Sequence, residues 1–462
     1  MKAYRSQMWL GLIMVASLLL SACASAAPTP APAAPAAPTA TTAPAEEAPT
    51  AEPPTAEAAK VKIRATVWLG DAELDALGKL TEAYQKTHPN IEVEWINIVG
   101  GGNYGRDKLQ TMIAGGDAPD LMMLNTGQFE QLASRGALRP LNDFIDAEKF
   151  DLSIYWPQAI EGITYQGKMY GLPRDMSNVI LYYNKDLFDK AGVAYPTDAW
   201  TWDDLAVAAK KLTVDANNDG KPEQWGFAVN NIVWVWAGFV WGNGGDVLSA
   251  DRKTCLLEDP KTIEALNFYY GLLTKEQVSP PPGALPEQAW AGDWMLTQSV
   301  AMGLFGPWWR PSLVTMEKPF KWDVAYPPKA PTTGKRGSVV YTDMWGMSPS
   351  SKVPNETWDF MKYITSEEGQ KLWTELIGAR SISPVKAVAQ SDSWLHYGGS
   401  TGEIILDSLS FSQVPPVNFG NANEVETIWD QELGLVVAGQ ETVEEAVRKI
   451  CQQIAPVLAE SK

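Results

Sequence analysis

The sequence predicts an α/β protein whose folded part is divided into two lobes. Two observations carry this. From residue 61 onward, strand-like alternation gives way to helix-like periodicity and back again in a β-α-β-α-β order, which implies a parallel sheet covered by helices. About 400 residues follow the last low-complexity stretch, more than a single hydrophobic core usually organises.

Before that folded part come two segments of other character. Lys2 and Arg5 precede an apolar run at residues 8–20, which ends in Leu20-Ser21-Ala22-Cys23. The run is too short to span a bilayer as a mature helix and is followed by small residues, as in a cleavable export signal at 1–22. The L-S-A-C string resembles a bacterial lipobox, so Cys23 is expected to become an acylated (palmitate-bearing) N-terminus. Residues 23–59 are nearly all Ala, Pro and Thr with a few Glu and no aromatic residue. Such a segment has too little apolar surface to offset the entropy of ordering it, and is expected to be a disordered stalk. At about 3 Å per residue it would reach on the order of 100 Å when stretched. The expected location is extracytoplasmic, lipid-anchored to the cell membrane.

The folded part opens on a strand at 61–69, then an amphipathic helix at 72–87 with Leu74, Leu77, Leu80 and Tyr84 on one stripe. A second strand at 91–99 runs into G-G-G-N-Y-G, and a helix at 107–114 follows. A third strand at 121–124 and a helix near Gln128 complete the unit. Open sheets of this order bind ligands in the loops at the carboxyl ends of their strands. The G-x-G-x-x-G string at Gly100, Gly102 and Gly105 follows the second strand rather than the first, so it reads as a ligand-facing or tight turn and not as a dinucleotide fingerprint. Asp215, Asn217, Asp219 and Gly220 match the first half of a calcium loop, but position 12 is Gly226; a structural calcium and an acid-rich turn both remain open. The greasiest internal stretch, 232–241, is too short to span a membrane and reads as a buried segment or a pocket wall. Helices are expected at 357–364, 367–376 and 442–458.

Composition narrows the function. The formal charge of −18 becomes about −20 once Lys2 and Arg5 leave with the signal. That balance argues against nucleic acid and against a strongly anionic ligand. His88 and His396, the two histidines, lie far apart in sequence, which leaves a histidine-built metal site or a Ser-His-Asp triad poorly supplied. No cofactor or metal is expected. Cys255 and Cys451 remain besides Cys23, and whether they pair is open. The 20 tryptophans are out of proportion, and many sit beside Gly, Asn and Asp. Indole plates stack on the C–H faces of sugar rings while amides and carboxylates take the hydroxyls, so the excess points to carbohydrate.

Several strings together resemble a known family. L-Q-T-M-I-A-G-G-D-A-P-D at 109–120, G-K-M-Y-G-L-P at 167–173, L-Y-Y-N-K-D-L-F at 181–188 and T-W-D-D-L at 201–205 occur in order. G-P-W at 306–308, W-G-M-S-P-S-S-K at 345–352 and E-E-G-Q at 367–370 follow. The whole of 60–462 is similar in this way to family 1 extracellular solute-binding proteins, the maltose-binding-protein-like sugar receptors of ABC importers. The resemblance implies a two-lobed periplasmic-binding-protein fold of type II, with three interlobe crossings near 177–182, 327–329 and 379–384. Lobe 1 would be 60–178 with 329–381, and lobe 2 would be 179–328 with 382–462. It implies a monomer that captures a mono- or oligosaccharide and delivers it to ABC transporter permease subunits, and not an enzyme. Ligand contacts would come from Asp71, Asn125 and Thr126 at strand ends and from Trp234, Trp236, Trp241 and Trp308 as aromatic platforms. Asp175, Asp343, Trp345 and Arg380 would lie beside the crossings, Arg380 either touching ligand or pairing with Asp71 or Asp175. Two rivals remain: a tethered glycoside hydrolase, which needs two flanking carboxylates, and a receptor for a solute such as glycerol-3-phosphate, for which Arg174 and Arg380 are the basic groups on offer.

Overall fold

In strand β1 (Val61–Val67) Ile63, Ala65 and Val67 are fully buried while Lys62 and Arg64 reach out to acids, the alternation of a strand with one face packed. β2 (Ile91–Asn97) lies parallel to it, in register from Val61↔Ile91 to Val67↔Asn97. β3 (Leu121–Leu124), buried throughout, pairs parallel on its other side. Helices α1 (Asp71–Gln85) and α2 (Arg106–Ala114) make the crossovers, and α3 (Thr126–Ser134) follows β3. On α1 the residues Leu77, Leu80 and Tyr84 are buried, as their spacing predicts. The first turn of α1 is pinned by the Gly70 N–H donating to Glu73 Oε2 at 3.2 Å.

The structure, a computed structural model, describes residues 60–100, 103–285, 292–399, 401–415 and 421–460. The export signal, Cys23 and the stalk lie outside the described residues. Apart from a two-residue hairpin of Thr164–Tyr165 with Lys168–Met169, the remaining described strands are β4 (Gly171–Asn178), β5 (Ile180–Asn184), β6 (Trp225–Ala228), β7 (Val300–Phe305), β8 (Trp322–Ala325), β9 (Ser338–Met347) and β10 (Ser412–Gln413). The first sheet has the order β10-β9-β3-β1-β2, with β4 also on β9; the second has the order β8-β5-β7-β6. The first sheet is therefore mixed, not wholly parallel: β9 runs antiparallel to both β3 and β4. Its direction follows from connectivity, since β4 leads out through Val179 to β5 in the second sheet and β9 brings the chain back.

Each sheet has its own core. α1, α7 (Pro354–Ile364) and α8 (Glu367–Ile377) cover the first sheet. The second packs against α4 (Trp202–Leu212), α5 (Val233–Gly242), α6 (Pro260–Thr274), α9 (Ala422–Val437) and α10 (Val443–Glu460). The greasy stretch is α5; a helix apolar all round belongs inside, and nearly all of it is buried. Cys255 and Cys451 form a disulfide that joins the loop before α6 to α10, with their Cα atoms 5.4 Å apart. The oxygens of Asp215, Asn217 and Asp219 accept N–H groups of the same turn, Gly220 to Asp215 Oδ2 at 2.8 Å and Asp219 to Asn217 Oδ1 at 2.8 Å. Among the described residues no three acids, histidines or cysteines gather as metal ligands.

Candidate ligand-binding cavity

Strand ends of both sheets, together with α9, wall a cavity of about 510 Å³, within the range of small-molecule sites. From the first sheet come Trp68 after β1, Asn125 to Gly127 after β3, Asp175 and Ser177 in β4, and Tyr341 and Asp343 in β9. Opposite them stand Trp234 in the first turn of α5, Trp308 after β7, and Glu426, Trp429 and Asp430 of α9.

The aromatic walls are built locally. Trp308 meets Trp234 edge-to-face, with centroids 5.5 Å apart and planes at 84°. The Trp308 indole folds back over Gly306, where any Cβ would overlap the ring, so the glycine of G-P-W makes the stacking turn possible. Trp68 and Tyr104 lean together with centroids 5.0 Å apart. Tyr104 sits on the glycine-rich turn, whose Gly105 has φ 71° and whose Cβ would strike Ile98.

The charged wall depends on a bulge. Asp175 pairs with Asp343 and Pro173 with Met344, which leaves Arg174 as the extra residue of β4 and turns it to the same side as its neighbour. Its guanidinium, 5% exposed, lies 2.6 Å from Asp175 and 3.5 Å from Asp343, and over Trp373 at 5.4 Å. Arg380 forms an ion pair with Glu73. Burial pushes Asp175 and Asp343 above the usual carboxylate range, and both guanidiniums pull them back.

Of the sequence-predicted contacts, Asn125, Thr126, Asp175, Trp234, Trp308, Asp343 and Arg380 line this cavity. Two of these have commitments elsewhere. Asn125 Oδ1 caps α3 by accepting from the Gln128 N–H at 3.0 Å. The Thr126 hydroxyl donates to the Thr342 carbonyl at 2.9 Å and accepts its N–H at 3.1 Å, stapling α3 to β9. Arg380 pairs with Glu73, not with Asp71 or Asp175. The four others lie elsewhere. Asp71 is exposed at the start of α1, and Glu73 is the acid of that turn which lines the cavity. Trp236 is 1% exposed and packs on Trp429, because helical spacing from Trp234 turns it into the core. Trp241 is buried and donates its indole N–H to Asp246 at 3.0 Å. Trp345, deeper in β9 than Tyr341 and Asp343, packs on Trp95 in the first core. Sequence reasoning missed Trp68, Tyr104 and Arg106, although the first strand's end and the glycine-rich turn marked their positions. It also missed Glu426 and Asp430, whose helix follows directly on a turn-forming string.

The family model of bacterial extracellular solute-binding proteins matches residues 70–371. A putative binding protein of Brucella abortus is 27% identical over 284 residues, 61% of this chain and 66% of that protein, so the match spans about two thirds of the relative. A maltooligosaccharide ABC transporter solute-binding lipoprotein of Streptococcus pneumoniae is 23% identical over 392 residues, 82% of this chain and 85% of that protein. The solved structure of an ABC substrate-binding protein from Listeria monocytogenes, in complex with cycloalternan, is 30% identical with a TM-score of 0.77, covering 87% of this chain and 99% of that one. With the family model spanning well over half of its length and the two-sheet architecture in agreement, this chain belongs to the bacterial extracellular solute-binding protein family.

Proposed function

We propose that this chain is the extracytoplasmic substrate-binding component of an ABC importer, capturing a mono- or oligosaccharide and passing it unaltered to permease subunits in the membrane. One observation carries the reading: a cavity at the strand ends of both sheets is walled by indoles on one part and by carboxylates and guanidiniums on another. Indole faces suit sugar C–H surfaces, and paired acids and arginines hold hydroxyls in fixed directions, rejecting ligands that lack them. The maltooligosaccharide and cycloalternan relatives support the sugar class.

In this reading 60–178 with 329–381 and 179–328 with 382–462 act as two lobes. Ligand bridging them favours closure by its higher affinity for the closed form. Cys23 carries the lipid anchor, the protein works as a monomer at the periplasmic or outer face, and it performs no bond-breaking step. Among the described residues no helix is long and apolar enough to cross a membrane. Titration calorimetry with a panel of neutral mono- and oligosaccharides tests the proposal: one ligand per chain and no new products support it, whereas turnover of the sugar would make the protein a hydrolase.

A further inference from the structure

The charged groups described along the cavity fall into two sets. Glu73, Asp175 and Asp343 are answered by Arg174 and Arg380 through the contacts given above. The second set has a different balance. Glu426 and Asp430 lie four residues apart on α9, and both line the cavity. Like charges at that spacing repel and destabilise the helix. Burial raises Glu426 to about 7, with Arg106 as the cation that offsets it, and burial raises Asp430 to about 6. Five acids thus meet three guanidiniums along the described wall. A cation brought beside Glu426 and Asp430 would favour their ionised forms and draw both back toward the ordinary carboxylate range, whereas an anion would push them higher still.

The rings around this corner supply the other half of the argument. Tyr104 and Tyr341 both feel the charge of Glu426. Trp429 lies between the two acids on the same helix and is 1% exposed. Its indole N–H is buried without a hydrogen-bond partner among the described residues. Aromatic faces together with carboxylates attract an ammonium group through the ring quadrupole and through direct charge. Taking the carbohydrate reading above as its premise, we infer that the sugar selected here carries a protonated amine, seated by Glu426 and Asp430 among Tyr104, Tyr341 and Trp429.

The test compares matched probes on the full mature chain by titration calorimetry: glucosamine against glucose, galactosamine against galactose, and the β-1,4-linked glucosamine trimer against cellotriose. The amine member of at least one pair is expected to bind about tenfold or more tightly, the size of a partly desolvated cation contact. Glu426→Gln should bring that ratio toward one. If the variant fails to fold, raising salt on the unmodified protein serves instead, since screening should shrink the preference. Equal or tighter binding of the neutral member in every pair overturns the amine inference and leaves the sugar reading standing. A preference that neither Glu426→Gln nor salt reduces overturns the assignment to this corner. Failure of every probe to bind overturns the inference together with its premise.

Discussion

Trp308 and Arg174 face the same cavity and should respond to mutation in different ways. Trp308 is half-buried, held over Gly306 and against Trp234, and lines the cavity. Trp308→Ala should weaken sugar binding by about 1–3 kcal/mol, the contribution of a well-packed aromatic contact. Calorimetry on the folded variant checks this, and unchanged affinity would make Trp308 structural. Arg174 is 5% exposed and holds two carboxylates, Asp175 buried and Asp343 partly buried. Arg174→Met should destabilise the protein itself by about 3 kcal/mol, because Asp175 and Asp343 would be left with one cation fewer. Denaturant unfolding measures it, and a stability equal to that of the unmodified protein would refute the account of this cluster.

Helix α3 carries a pH dependence of its own. Glu130, 3% exposed, lies 3.1 Å from Arg252 and near Tyr165, and burial lifts it from 4.5 to about 8 although Arg252 pulls it down. The native state therefore holds this proton more tightly than the unfolded chain. That advantage is complete below about 4.5 and is lost as pH rises through about 8. Melting temperature should fall more steeply between pH 4.5 and about 8, the span of the shift, in the unmodified protein than in Glu130→Gln. Parallel slopes would contradict this. The elements themselves were largely legible: β1 to β3, α1, α2, α7, α8 and α10 follow hydrophobic periodicity and lie within a few residues of expectation. The helix α9 was not, although Val425, Trp429, Leu433 and Val436 recur at helical spacing, because they follow the turn-forming string V-N-F-G-N-A-N. Missing α9 meant missing Glu426 and Asp430. The bulge at Arg174 is a pairing property of two strands remote in sequence, which no local pattern encodes.

Across the chain, the Cys255–Cys451 disulfide closes a loop of 196 residues within the second core. Restricting so long a loop in the unfolded state stabilises the fold by about 2–5 kcal/mol in the chain-entropy account. Reduction, or the Cys255→Ala/Cys451→Ala pair, should lower the melting temperature by several degrees; an unmoved transition would show the bond to be incidental. Architecture was the most legible level, since β-α-β order and motif order agree over the whole folded part. Individual contacts were the least, since a tryptophan in the sequence does not reveal whether it faces a cavity, as Trp234 does, or a core, as Trp236 does two residues later. The central claim is that a sugar is held in this cavity and released intact. Titration calorimetry against an oligosaccharide panel, followed by mass spectrometry of the recovered ligand, tests it most directly. Saturable binding at one sugar per chain, with the sugar recovered at its original mass, is the predicted result; no binding to any member, or recovery of shortened products, would contradict it.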